Sequence, residues 1–234
     1  MASFVLVHGG WHGGWCYNRV AKILRDGGHD VFTPTLTGLG ERSHLLQAGI
    51  DLDMHITDVM NVIKWEGLTD IVLCGHSYGG FVITGVADRM PDKVASLVYL
   101  DAFVPEDGDS CMGFLAPERQ KRLLINAEEM HAGIAVDPPP PEFYRVNADD
   151  IEWVRENFTP HPLGSLLQPI RLIGNYTRAK RTYVFAKGET ISAPWYEKCL
   201  ADPTWTVLVT EKGGHDQMVD DPDTVAQILM QSAL

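Results

Sequence analysis

The sequence is poor in basic residues and contains no long apolar run. Lysine and arginine together number 19, against 31 aspartate and glutamate residues, so the formal net charge is −12. Nucleic-acid phosphates need a basic surface, and this charge therefore argues against a nucleic-acid partner and against anionic membrane surfaces. Because no apolar run could span a bilayer, no membrane partner is expected.

Targeting and metal-binding patterns are missing as well. The N-terminal stretch "MASFVLVHGG" has no basic region ahead of a long apolar segment, so it predicts no signal peptide. The four cysteines lie apart without C-x-x-C spacing, and no H-E-x-x-H pattern occurs. The chain is therefore expected to be cytoplasmic, with neither a metal nor an organic cofactor.

What the sequence does contain is an alternation of strands and helices. The expected strands lie in "SFVLVHGG", "HDVFTPTLTGLG", "DIVLCGHS", "VASLVYLDAFVP", "RTYVFAKGE" and "TWTVLVTEKGGHD". Strands of this apolar kind, separated by helices, predict an α/β fold with a mostly parallel sheet and helices on both faces. Residues 106–178 break the alternation: they lack strand signals and hold helical fragments, aromatics and "DPPPPEF". We interpret them as an inserted helical cap on a core of residues 1–105 and 179–234.

The stretch "IVLCGHSYGGFVITGVADRM", residues 71–90, is the strongest functional signal. It places Ser77 between Gly75 and Gly79, with a strand before the serine and a helix after it. Such a turn strains the serine backbone and raises the hydroxyl at the edge of the sheet where α/β proteins bind ligands. The pattern predicts that Ser77 is a nucleophile and does more than cap a helix.

A serine nucleophile needs a base and donors for the oxyanion. His215 follows the last strand and precedes the final helix, which matches the chain order of nucleophile, acid and histidine. The N–H groups of Tyr78 and Gly10 are the expected oxyanion donors. Gly10 belongs to the loop "HGGWHGGW", residues 8–15. We expect Gly9 and His12 of the same loop to contribute to binding the oxyanion or the substrate.

The acid of the triad has two candidates. Asp101 directly follows the strand "SLVYL", and Glu189 follows "TYVFAKG", so both side chains should lie at the same edge of the sheet as Ser77. Asp216 is a third and weaker alternative. The sequence leaves this choice open.

With these residues assembled, the chain resembles the α/β-hydrolase superfamily. It is most similar to the group that contains plant methyl esterases, plant hydroxynitrile lyases and related bacterial esterases. The stretches "FVLVHGGWHGGWCY", "GHSYGG", "LVYLDAFVPEDG" and "GGHDQMVDDP" carry the resemblance. It implies Ser77 as nucleophile, His215 as base and Gly10 and Tyr78 as donors, and it places Glu189 where the plant members have their aspartate.

The same resemblance separates two activities. The S-selective lyases of the group have a threonine after the first histidine of the loop and a lysine after the catalytic histidine, where this chain has Gly9 and Asp216. A carboxylate there should repel cyanide. The prediction is therefore a carboxylesterase that cleaves small, moderately apolar esters; a hydroxynitrile lyase and a non-catalytic small-molecule receptor are the alternatives. The expected partner is the small-molecule ester, and a homodimer is left open.

Overall fold

The computed structural model describes residues 1–233. Its strands are β1 (Ser3–Val7), β2 (Asp30–Phe32), β3 (Ile71–His76), β4 (Val94–Leu100), β5 (Ala135–Val136), β6 (His161–Pro162), β7 (Lys180–Ala186) and β8 (Trp205–Thr210). The main sheet has the order β2-β1-β3-β4-β7-β8, and every neighbouring pair in it is parallel. All six residues of β3 are buried, as expected for a central strand that is covered on both faces.

Helices cover the sheet in two groups. They are α1 (Asn18–Asp26), α2 (Leu52–Trp65), α3 (Gly79–Arg89), α4 (Pro117–His131), α5 (Ile151–Asn157), α6 (Leu163–Leu167), α7 (Ala193–Leu200), α8 (Gln217–Asp220) and α9 (Pro222–Ser232). Helices α1 and α9 pack against each other, as do α2 and α3. The strands and helices predicted from the periodicity are thus present. Among the described residues, no helix is both long and apolar enough to cross a bilayer.

The segment between β4 and β7 contains the predicted helices α4 to α6, but it also contains strands. Strands β5 and β6 pair antiparallel, with Ala135 opposite Pro162 and Val136 opposite His161. The expectation that residues 106–178 lack strands is therefore wrong in this detail. Each strand has only two residues, and such a short stretch leaves no alternation of apolar and polar positions to recognise.

The parallel sheet brings the predicted site residues to one edge. Ser77 follows β3, Asp101 follows β4, and Glu189 and His215 lie in the loops after β7 and β8. The glycine-rich loop follows β1 at the same edge. Loops at the carboxyl ends of parallel strands meet in space, so residues far apart in the sequence become neighbours.

Candidate active site

Ser77 lies in a tight turn between β3 and α3. Its φ is +51°, a left-handed conformation that is unfavourable for a residue with a side chain. The glycines on either side permit the turn: a Cβ atom on Gly75 would lie 2.6 Å from the carbonyl oxygen of Gly79, and one on Gly79 would lie 2.8 Å from that of His8. The backbone N–H of Phe103 donates to the carbonyl oxygen of Ser77 at 3.1 Å and holds the turn in place.

His215 and Asp101 form the shortest link in the site. The Nδ1 atom of His215 and the Oδ2 atom of Asp101 are 2.6 Å apart, and both residues are 1% exposed. The other oxygen of Asp101 accepts from the Ser192 hydroxyl at 2.6 Å and from the Ala186 N–H at 3.1 Å. These donors fix the carboxylate, and its bond to Nδ1 orients the imidazole.

The second ring nitrogen of His215 remains available. Its Nε2 atom is buried and has no hydrogen-bond partner among residues 1–233, and His215 and Ser77 line the same pocket. Burial by itself would lower the pKa of His215, but the hydrogen bond and charge of Asp101, followed by the charges of Asp216 and Glu189, raise that pKa above its ordinary 6.5. These carboxylates therefore stabilise the protonated form that His215 adopts when it accepts a proton.

Glu189, the other candidate acid, is also buried close by. One of its carboxylate oxygens, one of Asp101 and a ring nitrogen of His215 lie within 4.8 Å of one another. Its Oε1 atom accepts from the backbone N–H groups of Thr190 at 2.7 Å and Ile191 at 3.1 Å. Asp101, and not Glu189, makes the hydrogen bond to His215.

The two expected oxyanion donors face the same pocket. Gly10 and Tyr78 line it together with Ser77 and His215. Within residues 1–233, neither backbone N–H group donates to an acceptor of the protein. The two groups are thus free to bind an oxygen that develops negative charge.

His12 has different surroundings from those expected. Its side chain is buried, with Nδ1 2.7 Å from the carbonyl oxygen of Gly10 and Nε2 3.1 Å from Oδ2 of Asp216. Both nitrogens are engaged, so His12 supports the loop and offers no atom to a substrate. A Cβ atom on Gly9 would lie 2.7 Å from Nδ1 of His76 and 3.0 Å from Cβ of Ser77, so Gly9 allows the loop to pack closely against the turn that carries Ser77.

The pocket above Ser77 is narrow and mostly apolar. It measures about 30 Å³ and is lined by Gly10, Trp11, Ser77, Tyr78, Phe103, Cys111, Leu115, Arg119, Leu123, Tyr144, Leu166, Ile191 and His215. A wider cleft of about 640 Å³ adjoins it, because Trp11, Arg119 and Leu123 line both spaces. Of the aromatic residues between β4 and β7, Tyr144 lines the pocket and Phe143 lines the cleft. Phe114, Trp153 and Phe158 pack against other aromatic rings.

The alpha/beta hydrolase family model matches residues 4–228 of this chain, which is most of its length. The chain belongs to the alpha/beta hydrolase family. One relative, a carbendazim-hydrolyzing esterase from Nocardioides sp. (strain SG-4G), is 46% identical over an alignment of 240 residues, gaps included. The alignment covers 98% of each chain. Esterase PIR7B from Oryza sativa subsp. japonica is 27% identical to this chain. The alignment covers 98% of this chain and 95% of PIR7B.

Solved structures agree on the fold. An extracellular alpha/beta-hydrolase from a Paenibacillus species superposes with a TM-score of 0.86 at 23% identity, with 99% of both chains covered. A pyrethroid hydrolase from Sphingobium faniae JZ-2 superposes with a TM-score of 0.81 at 22% identity, with 99% of this chain and 97% of that chain covered. The predicted fold is confirmed. The predicted ester-hydrolase activity is confirmed by the esterase that matches over nearly the whole chain.

Sequence reasoning missed a buried polar network in this hydrolase. His76 donates from Nε2 to the carbonyl oxygen of His215 at 3.0 Å, and its ring lies 4.5 Å from that of His215. Asp216 was expected beside the substrate, but its side chain is fully buried between His12 and His76. Burial alone would raise the pKa of Asp216, but the interaction with His12, through its charge and its hydrogen bond, is the largest cause that lowers this pKa to about 2. The histidine at position 76, between the glycine and the serine of the motif, was the available sequence signal.

Proposed function

We propose that this hydrolase cleaves small carboxylic esters through a covalent acyl-enzyme, with Ser77 as nucleophile, His215 as base and Asp101 as acid. The observation that carries the proposal is the 2.6 Å contact between His215 Nδ1 and Asp101, combined with an unpartnered Nε2 atom in the pocket that Ser77 also lines. The ionised carboxylate can only accept, so Nδ1 carries the proton and Nε2 presents a lone pair.

The proposed reaction follows from this tautomer. The proton of the Ser77 hydroxyl passes to Nε2 of His215 as the oxygen attacks the ester carbonyl. The N–H groups of Gly10 and Tyr78 bind the oxyanion of the tetrahedral intermediate. The imidazolium then gives its proton to the departing alcohol, and the acyl group remains on Ser77. A water molecule, deprotonated by His215, attacks the acyl group and releases the acid.

The pocket also supports a substrate class. Its lining is mainly apolar and aromatic, and its small size suits an acyl or alkoxy group of few atoms. One 46% identical relative is a carbendazim-hydrolyzing esterase, and a 24% identical relative is a putative methylesterase. We therefore propose methyl esters of small, moderately apolar compounds as substrates, with the larger part of the substrate extending towards the cleft, and carbendazim as a compound to test.

The decisive experiment compares Ser77→Ala with a matched control, Ser43→Ala, whose serine is exposed and lines neither the pocket nor the adjoining cleft. Hydrolysis of p-nitrophenyl butyrate and of carbendazim should fall by at least about 10³-fold in Ser77→Ala, since the nucleophile is lost. A fluorophosphonate should label the wild-type protein and the control but not Ser77→Ala. Unchanged turnover in a folded Ser77→Ala variant would reject the proposal.

We also propose a cytoplasmic location and a small-molecule ester as the partner. The four cysteines are buried free thiols, which suits a reducing compartment. The net charge of −12 supports a small molecule over a nucleic acid. A homodimer stays a prediction, which the molecular mass in solution would test.

A further inference from the structure

Glu189 has a buried carboxylate oxygen that the proposed triad does not use. The residue is 6% exposed, and its Oε1 atom is held by the N–H groups of Thr190 and Ile191. Its Oε2 atom is buried and has no hydrogen-bond partner among residues 1–233. The carboxyl group nevertheless lies within 4.8 Å of both an oxygen of Asp101 and a ring nitrogen of His215.

This arrangement is unfavourable while His215 is neutral. A buried carboxylate oxygen without a donor costs free energy, and two carboxylates at this distance repel each other. Both costs fall when His215 takes the serine proton, because the imidazolium then attracts both carboxylates across a medium of low dielectric constant. An interaction that becomes favourable only as charge develops lowers the barrier to reaction.

The charged and titratable groups that face His215 come from several elements. They are Asp101 after β4, Glu189 after β7, His76 in β3, the adjacent Asp216, and Tyr144 of the cap, whose ring stacks 5.1 Å from the imidazole. Asp216 also has a buried oxygen without a hydrogen bond, Oδ1, but that atom lies 3.6 Å from Nε2 of His76, and Oδ2 of Asp216 contacts His12. Glu189 instead lies beside Asp101 and His215, and its Oε2 atom has no other partner among residues 1–233.

From this juxtaposition we propose that Glu189 is a second carboxylate for His215. It stabilises the imidazolium together with Asp101, and it accepts the hydrogen bond of Nδ1 when Asp101 can no longer do so. Glu189 does not line the pocket and touches no reacting atom, so it is a positioning residue that acts through His215. This inference rests on the proposed function.

The test is a double-mutant cycle with p-nitrophenyl butyrate. Glu189→Gln alone should lower kcat a few-fold, because Asp101 remains the main acceptor. Asp101→Asn should lower kcat by orders of magnitude, because an amide can hold the wrong tautomer of the histidine. Adding Glu189→Gln to Asp101→Asn should lower kcat by a further factor of at least about ten, since the replacement acceptor is then lost.

The pH profile provides a readout that a structural role would not move. In Glu189→Gln the acid limb of kcat/KM should lie at lower pH than in the wild type, because one negative charge that favours the imidazolium is gone. Glu189→Asp keeps the charge and should return the limb towards the wild-type position. Glutamine retains an oxygen that can accept from the N–H groups of Thr190 and Ile191, so Glu189→Gln alone should fold. If the double variant does not fold, the pH profile of the single variant still tests the proposal.

Glu211→Gln is the matched control. Glu211 follows β8 at the same edge of the sheet, but it is exposed and paired with Lys187. It should leave kcat unchanged in both backgrounds. Equal losses from Glu189→Gln with and without Asp101→Asn, together with an unmoved acid limb, would overturn the role of Glu189. An active Ser77→Ala variant would instead refute the proposed function.

Discussion

Two residues of the proposed triad have left-handed backbones that strain the fold. The φ of Ser77 is +51° and that of Asp101 is +47°. Each such conformation costs roughly 1–2 kcal/mol for a residue with a Cβ atom. The turn at Ser77 persists because Gly75 and Gly79 allow the chain to pass closely, and because the N–H of Phe103 binds its carbonyl oxygen. The protein therefore holds the hydroxyl in place at the expense of stability.

This strain can be measured without reference to activity. Ser77→Gly should be more stable than Ser77→Ala by about 0.5–1 kcal/mol in urea unfolding, because glycine adopts a positive φ freely. At Ser43, in a 3-10 helix, the order should be reversed, with glycine less stable than alanine. If alanine were the more stable substitution at both positions, the turn at residue 77 would not be strained.

The sequence alone was enough to predict some residues of the candidate site. The motif around Ser77 and the position of His215 after the last strand were sufficient to select both residues. They could not separate Asp101 from Glu189, because both follow strands that end at the same edge of the sheet. That choice depends on a distance of 2.6 Å, which is set by the packing of three loops.

The antiparallel pair of strands β5 and β6, called the β5–β6 hairpin below, holds the loop that carries Gly10. Trp11 donates from its backbone N–H to Nδ1 of His161 at 3.3 Å and from its indole Nε1 to the carbonyl oxygen of Val136 at 3.0 Å. Its own carbonyl oxygen accepts from Thr159 at 3.0 Å. Trp11 has a φ of +65°, so these bonds fix a strained residue next to a proposed oxyanion donor.

Removing one of these bonds should affect catalysis more than binding. His161→Ala should lower kcat about ten-fold or more with a smaller change in KM, because the N–H of Gly10 would lose its fixed direction. His131→Ala is the control, since His131 lies on α4 of the same segment and pairs with Asp137. Steady-state kinetics of both variants provide the measurement. Equal kcat values would show that the β5–β6 hairpin does not position the loop.

The strands of the main sheet and the long helices could be predicted from the sequence, whereas the short strands β5 and β6 could not. The strands of the main sheet are apolar runs bounded by glycine or proline, and α2 has buried Ile56, Val59 and Ile63 at helical spacing. Strands β5 and β6 are separated by 24 residues, and β6 contains Pro162. Proline argues against a strand from sequence, whereas in the structure tertiary contacts stabilise the pair, among them the bonds of Trp11 to Val136 and His161.

Four buried histidines, spread over the molecule, link its stability to pH. They are His8, His55, His76 and His161. Burial lowers the pKa of His8 to about 3 and that of His55 to about 4, and it lowers the pKa of His76 and His161 well below 6.5. These rings stay neutral in the folded protein at pH values where the unfolded chain is protonated.

The stability of the protein should therefore fall steeply in mild acid. Below pH 6.5 the unfolded state binds a proton at each of these histidines and the folded state does not, so the free energy of unfolding decreases as the pH falls. Four such groups give a slope of about 5 kcal/mol per pH unit at most. The pKa of His215 is raised in the folded protein, so this residue adds stability that is fully present below pH 6.5 and is lost as the pH rises through its folded pKa. Below pH 6.5 His215 is protonated in both states, so it does not change the slope there.

Urea unfolding between pH 7 and pH 5 tests this linkage. The protons taken up on unfolding should decrease by about one in His55→Gln, because one buried neutral ring is removed. His44→Gln is the control, since His44 is exposed. Glutamine at position 55 also loses the bonds of the ring to Tyr78 and Thr37, which lowers stability at every pH. The slope is therefore the informative quantity, and an unchanged slope in His55→Gln would mean that this imidazole titrates alike in the folded and unfolded protein.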